Sequence, residues 1–388
     1  MVVNVICFST NWDIAVGLIR TLMAIAVLTA HAGPIFGLDI TYLTGGQISV
    51  QIFYMISGFY MALVLNTKYT FKNSYLTFIG NRFLRLYPSY IVVVAVTFLL
   101  FFLFRSWKGI SIIPFDSWKE YDLSLITIIF FIFGSIVFIG QDWAMFFGVD
   151  PQSGNLLPAA SFTSCELPAY KFLFVPQAWT LGLEITFYLI APFIVRRKTF
   201  YIVLLAFASF LTKFVLNKYF GLARDPWSYR FFPGELTLFL LGALSYKFYC
   251  FLKIREKRYL NSYVCISVWA VIITILLFYR LLPHPKLPYR LYDSVCLLIP
   301  LALPFIFHVT KNLRYDKFIG ELSYPIYISH LIVVLGLKAL NIETVTSNIG
   351  IITLFVTIAA ALGLLMFVDR PIDKFRQTVV ARRKKAAG

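Results

Sequence analysis

The sequence places ionisable residues inside long apolar stretches, where each one costs several kcal/mol unless it faces a polar interior. Arg20 and His31 share one stretch, Glu184 lies in a second and His330 in a third. A neutral histidine, with an ordinary pKa of about 6.5, can accept a proton from a hydroxyl at cellular pH. Arginine can bind an anion or a developing oxyanion, and a carboxylate can orient or support a histidine. These residue types suit proton transfer and anion binding.

Arg20 and His31 are predicted to lie on one face of a helix. His31 is eleven positions after Arg20, which is roughly 1100° of rotation, so the two residues lie within about 20° of the same face and about 16 Å apart along the axis. Snorkelling of Arg20 and an interfacial position of His31 explain either residue alone equally well. Their shared face favours one polar stripe through the membrane.

A second apolar stretch carries a polar stripe at helical spacing. Gln47, Gln51, Tyr54 and Gly58 recur at i, i+4, i+7 and i+11, so they share a face. Such a face meets protein or water more often than lipid. A substrate role and close helix packing around glycine are about equally supported.

The segment FIGELSYPIYISHLIVV places Ser323, Tyr327 and His330 on one helix face. Pro325 interrupts the hydrogen-bond ladder of that helix, which suits a helix that opens onto a cavity. We therefore predict that these side chains face a cavity.

Glu184 has Tyr188 one turn further along its face, within PQAWTLGLEITFYLIAP. A carboxylate at that depth must be neutralised or paired, and a histidine or arginine of a neighbouring helix is the expected partner. The apolar stretches place Glu184, His31 and His330 at similar depths in the outer half of the membrane.

Arg82 and Arg85 stand at i, i+3 spacing in NRFLRLYPSY, at the start of the third apolar stretch. Two adjacent guanidinium groups form a fork that suits phosphate better than lysine does. Ordinary positive-inside charge or contact with lipid headgroups is the alternative explanation.

Composition identifies the elements that must position these residues. The chain has 388 residues, 60% of them hydrophobic and only 14% charged, so it cannot cover a water-exposed surface. The net charge of +17 lies mainly in short connections between apolar stretches, which is the pattern of a membrane protein and not of a nucleic-acid partner. Five cysteines without CxxC spacing predict buried thiols, with neither disulfides nor a metal site.

Eleven apolar stretches predict an all-α, polytopic transmembrane bundle. Basic loops on alternate sides place both termini in the cytoplasm, and this needs an even number of crossings. We therefore predict about ten spanning helices, with 124–140 as a short re-entrant or interfacial helix, in a single domain 1–388 whose core is 13–370 and whose basic cytoplasmic tail is 371–388. The stretches are 13–33, 46–66, 86–105, 124–140, 178–195, 200–217, 232–251, 262–279, 291–309, 318–338 and 348–368.

These segments resemble acyltransferase family 3, which includes O-antigen and exopolysaccharide O-acetyltransferases. Arg20 and His31 fit the arginine, ten residues, histidine motif of the family, and Arg82 and Arg85 fit its RxxR element. Its other blocks resemble FYMISGFYMA (53–62, with Ser57), AWTLGLEITFYLIAP (178–192, with Trp179) and FIGELSYPIYISH (318–330). Each motif is weak alone, but five in order over about 13–370 are specific. Tyr54 and Thr180 depart from the family pattern, and no esterase-like domain is fused.

The resemblance implies cytoplasmic acyl-CoA, most simply acetyl-CoA, as donor, with no metal. It implies His31 as the essential residue and Arg82 with Arg85 as contacts of the CoA phosphates. We expect His31 to be a general base or, less favourably, a covalent nucleophile, with Glu184 supporting it and Arg20 binding the pantetheine arm or the thioester oxyanion. Ser57, Trp179, Tyr327 and His330 are expected to line the substrate cavity.

The expected acceptor is a hydroxyl of a glycan or lipid-linked saccharide. The expected surroundings are membrane lipid of a bacterial inner membrane, with glycan-assembly proteins as further partners. A polytopic transporter or flippase is the main alternative, because polar residues in mid-membrane also mark permeation paths. A non-catalytic scaffold in a glycan-assembly complex is the second, and it would tolerate loss of His31.

Overall fold

The computed structural model describes residues 16–33, 43–110, 112, 118, 121–161, 164–254, 260–281, 294–342 and 349–387. Residues 13–15, 291–293 and 348 of the predicted stretches lie outside the described residues, as does Cys7. Twelve α-helices form the described part, eleven of them at the positions of the eleven apolar stretches. They are α1 (Gly17–Ala32), α2 (Gly45–Thr67), α3 (Ser74–Lys108), α4 (Leu125–Val137), α5 (Trp179–Ile194), α6 (Thr199–Phe220), α7 (Phe232–Ile254), α8 (Ser262–Leu277), α9 (Ser294–Thr310), α10 (Arg314–Ala339), α11 (Ile349–Leu364) and α12 (Arg370–Ala387).

The predicted all-α membrane bundle is confirmed, but the predicted number of about ten spanning helices is not. Among the described residues, six helices are long and apolar enough to cross a membrane: α2, α3, α6, α7, α10 and the continuous helix 349–387, in which a π-helical turn joins α11 to α12. The helices α1, α5 and α8 have only 16 residues each, or about 24 Å against a hydrocarbon core of ~30 Å. A 3₁₀ turn, Pro176–Ala178, precedes α5.

The stretch 124–140 follows the path of a re-entrant segment. The helix α4 descends beside α3 until the ring of Phe138 lies 5.7 Å from that of Phe83 and 5.3 Å from that of Tyr90. The chain then turns at Gly140, whose φ is +82°, and runs back as the 3₁₀ helix Gln141–Phe146. It ends in a two-stranded antiparallel sheet of β1 (Phe147–Val149) and β2 (Leu156–Pro158). This segment therefore packs along α3 and then turns back on itself.

Hydrogen bonds gather several helix ends at one end of the bundle, which we call the basic end. Asp316, in the first turn of α10, accepts hydrogen bonds from the backbone amides of Gly17 (2.7 Å) and Leu18 (2.9 Å), so it caps the positive end of α1. Arg196 follows α5 and donates to the carbonyl oxygen of Leu65, at the end of α2, over 2.8 Å. The basic end therefore holds the starts of α1 and α10 and the ends of α2 and α5.

Two glycines allow α2 and α7 to touch through their backbones. A Cβ at Gly58 would overlap the backbone oxygen of Phe239, and a Cβ at Gly242 would overlap that of Met55. Small residues at such crossings let helices approach closely in a membrane. Gly58 therefore serves helix packing, which was one of the two explanations that the sequence left open for it.

Replacement of Gly58 by alanine is expected to lower the thermal stability of the detergent-solubilised protein strongly, because the obstructing atoms belong to rigid backbone. Overpacking of this kind costs about 1–3 kcal/mol or more. The matched control is Gly80→Ala in α3, where nothing lies within 4 Å of the new Cβ and alanine should stabilise the helix slightly. Equal melting temperatures for the two variants would contradict the assigned packing role.

Candidate active site

A cavity with about 860 Å³ of empty space lies between α1, α2, α3, α5 and α10. We call it the main cavity. Six of the nine site residues predicted from the sequence line it, although they come from five separate segments of the chain. These six are Arg20, Ser57, Arg82, Arg85, Glu184 and Tyr327.

Three arginines give the main cavity its positive charge. Arg82 is buried and Arg85 half-buried on the third and fourth turns of α3, while Arg20 faces them from α1. The Asn81 side chain accepts hydrogen bonds from Arg82 (3.4 Å) and from Arg376 of α12 (3.0 Å), so α12 holds this part of α3 in place. Guanidinium groups in a confined cavity form a strong site for an anion.

Glu184 lies in the main cavity and is bonded to hydroxyl groups. Its carboxylate accepts hydrogen bonds from Ser57, over 3.2 Å, and from Tyr188, and it interacts electrostatically with Arg20. The prediction that Glu184 shares a layer with His31 and His330 is wrong. The spacing of residues along α5 shows which face of the helix a side chain lies on, but not its depth relative to α1 and α10. The packing of the bundle places Glu184 level with Arg20.

His31 and His330 meet outside the main cavity. Their ring centroids are 5.3 Å apart, with His31 exposed in the last turn of α1 and His330 fully buried in α10. Nδ1 of His330 lies 2.6 Å from the carbonyl oxygen of Tyr327. A carbonyl only accepts, so Nδ1 carries the proton and Nε2 is an acceptor. No described group donates to this buried Nε2, which leaves an acceptor site beside His31.

Tyr327 forms the wall between the main cavity and the histidine pair. Its hydroxyl donates to the carbonyl oxygen of Gln177 (2.7 Å) and accepts from Thr180 (2.8 Å), while its ring lies 5.9 Å from that of His330. Thr180 thus contributes a hydroxyl at a position where the sequence departs from the family pattern. A molecule extending from the arginines to His31 must pass this wall.

A second cavity, with about 540 Å³ of empty space, continues from the main cavity at the basic end. We call it the entrance cavity. It shares Arg20, Arg85 and Tyr324 with the main cavity, and α12 contributes the rest of its basic side chains. Its remaining lining residues are Leu84, Glu321, Leu365, Asp369, Arg370, Asp373 and Arg376.

Trp179, which was predicted to line the substrate cavity, is not among the residues that line the main cavity. The guanidinium of Arg230 covers its ring at 4.1 Å, and a bidentate ion pair of 2.6 and 3.0 Å joins Arg230 to Asp225. Burial raises the pKa of Asp225 above its usual range, and Arg230 offsets only part of this effect. The indole is therefore a platform for Arg230 at the start of α5.

A buried ion pair on the far side of α2 was not predicted from the sequence. Lys213 Nζ lies 2.6 Å from a carboxylate oxygen of Glu235, and Gln51 donates to the other oxygen over 3.2 Å. Gln51 of the predicted stripe therefore serves this network, while Tyr54 lines the main cavity and Gln47 is exposed. Both ion-pair residues stand inside predicted apolar stretches, so the rule that singled out Arg20 and Glu184 also indicates them.

Among the residues that the structure describes, no three His, Cys, Asp or Glu side chains are grouped so that they could hold a metal ion. Cys165, Cys250 and Cys265 are free thiols. Cys265 is buried, but Cys250 is exposed on α7, so the prediction of a buried thiol is wrong for Cys250. The lipid-facing surface of a membrane bundle is apolar, as its interior is. Apolar neighbours in the sequence therefore do not show whether a cysteine faces lipid or the interior of the bundle.

Comparison with known families shows the family of the chain. The family model described as an acyltransferase domain matches residues 13–368. The chain belongs to acyltransferase family 3. This acyltransferase is 23% identical over 208 residues to an uncharacterized protein of Aquifex aeolicus (strain VF5), a match that covers 52% of this chain and 89% of the relative. No solved structure matches the acyltransferase. The family and the apolar helices make it a membrane acyltransferase.

Proposed function

We propose that the protein transfers an acyl group, most simply acetyl, from cytoplasmic acyl-CoA to a hydroxyl of a glycan or lipid-linked saccharide. The observation that carries this proposal is the arrangement of one cavity with arginines towards the basic end and a histidine pair beyond its opposite wall. An anionic donor and a hydroxyl acceptor need two such sites. In this proposal the path between the two sites runs inside the bundle and passes the Tyr327 side chain.

The donor enters from the basic end. Arg82 and Arg85 bind CoA phosphates as a guanidinium fork, and Arg20 contacts the pantetheine arm. Glu184 holds Ser57, Tyr188 and Arg20 in a shared polar cluster. In this proposal Glu184 acts on the donor side and does not support His31. The neighbour of His31 is His330.

The acceptor meets the thioester at the histidine pair. His31 takes the proton of the acceptor hydroxyl, whose oxygen attacks the thioester carbonyl. The carbon–sulfur bond breaks, CoA leaves as its thiolate, and the proton held by His31 converts it to the thiol. The products are an acyl ester and free CoA. Rotation of the Tyr327 side chain away from Thr180 opens the wall for the thioester.

Surface glycans from cells with and without the gene test the acceptor. Mass spectrometry is expected to show glycan species lighter by one acyl group in the deletion strain, with restoration by the wild-type gene. A transporter or scaffold would instead change the amount of glycan at the surface. Unchanged acylation in the deletion strain would sink the proposed acceptor class.

The basic end is proposed to face the cytoplasm. In a cysteine-free background, Lys72→Cys lies exposed after α2, and Gln152→Cys lies exposed in the turn between β1 and β2. A membrane-impermeant thiol reagent added to intact cells is expected to label Gln152→Cys and not Lys72→Cys, whereas lysed cells label both. The reverse pattern would invert the topology.

A further inference from the structure

The entrance cavity depends on a helix outside the family domain. The family model ends at residue 368, whereas α12 begins at Arg370. Arg370, Asp373 and Arg376 of this helix line the entrance cavity together with Arg85. The match therefore covers α11 but stops before these three residues of the same continuous helix.

Two contacts fix α12 at this position. Arg376 is buried and donates to Asn81 over 3.0 Å, next to Arg82. At the end of α2, Lys68 donates to Gln377 over 2.5 Å. The helix is thus docked along the start of α3, where the proposed phosphate contacts lie.

Arg370 differs from Arg376 in its surroundings. It reaches from the start of α12 to Glu321 of α10, over 3.1 Å, and its side chain is 43% exposed. A half-exposed ion pair contributes little to stability, about 0–1 kcal/mol. Arg370 also lines a cavity that holds Arg20 and Arg85. It can therefore bind an anion that enters this cavity.

We propose that Arg370 is a donor-binding residue that exchanges its Glu321 partner for phosphate groups of the incoming acyl-CoA. This inference rests on the proposed function. Arg85 and Arg370 face the entrance from two helices, so a polyphosphate entering between them is held from both sides. Glu321 occupies Arg370 in the empty protein and competes with the donor.

If Arg370 exchanges Glu321 for phosphate, losses of the two partners of this ion pair change donor binding in opposite directions. Loss of Arg370 removes a phosphate contact and weakens donor binding. Loss of the Glu321 charge releases Arg370 and removes a negative charge near the phosphates, so it strengthens donor binding. An ion pair with a purely structural role would respond in the same direction to both changes.

The test uses the full-length protein in proteoliposomes with two donors, acetyl-CoA and acetyl-pantetheine, which has the same thioester but no phosphates. Arg370→Ala is expected to raise the KM for acetyl-CoA about tenfold and to leave that for acetyl-pantetheine unchanged. Glu321→Gln is expected to lower the KM for acetyl-CoA. The matched control is Lys374→Ala, a cation on the same helix that is exposed and does not line the entrance cavity.

Several outcomes would overturn the proposal. Equal KM values for acetyl-CoA in wild type and Arg370→Ala, or parallel changes with both donors, exclude a phosphate contact. A rise of KM in Glu321→Gln excludes the exchange, and this variant decides the matter if Arg370→Ala does not insert. Absence of transfer by the wild-type protein would instead refute the proposed function itself.

Discussion

Replacement of His31 by glutamine is expected to abolish acyl transfer and to leave expression, membrane insertion and acyl-CoA binding near normal. Glutamine keeps a donor and an acceptor but cannot take a proton near neutral pH. Loss of a general base costs roughly 10²–10⁴-fold in rate. The measurement is transfer from labelled acyl-CoA in reconstituted membranes, with donor binding assayed on the same preparations.

The matched control is His308→Gln in α9, which exchanges the same residue types at a half-buried position that lines neither cavity. It is expected to retain full turnover. Substantial turnover in His31→Gln would remove the general-base role from His31. His330, whose Nε2 is a buried acceptor beside His31, would then be the next candidate for the general base. A transporter would be the alternative function.

The double variant Arg82→Ala with Arg85→Ala is expected to weaken acyl-CoA binding by about a hundredfold or more, because hydrogen bonds to charged groups contribute about 1.5–3 kcal/mol each. Acceptor binding should change little, since both arginines lie in the main cavity and not beside the histidine pair. Lysine at either position should restore only part of the affinity, because a point charge lacks the bidentate fork.

Donor affinity measured by calorimetry on the folded, detergent-solubilised protein checks this expectation. Arg105 of α3 provides the control, as an exposed arginine on the same helix near its other end. Unchanged affinity in the folded double alanine variant would falsify the assignment of Arg82 and Arg85 to the CoA phosphates.

Helical periodicity predicted which side chains share a face, and this was enough for much of the site. Arg20 lines the main cavity and His31 stands further along α1, beside His330. These features depend on the order and spacing of residues along single helices, which a sequence contains.

Contacts between helices were less predictable. Glu184 lies level with Arg20 rather than with the histidines, and Trp179 lies under Arg230, because the relative height of two helices depends on side-chain packing that spacing along one chain does not reveal. The role of α12 was missed for a similar reason. Its basic residues look like a cytoplasmic tail in the sequence, and only the bundle brings Arg370 to the mouth of a cavity.

Proteoliposomes with uniform orientation test directly whether an acyl group passes from CoA at the basic end to a hydroxyl at the opposite end. Radiolabelled acyl-CoA is supplied on the basic side, and a lipid-linked saccharide is present in the bilayer. We expect labelled saccharide and stoichiometric free CoA with wild-type protein, and neither above background with His31→Gln. Label that stays on CoA with the wild-type protein, or equal transfer by both proteins, would refute the proposed transfer.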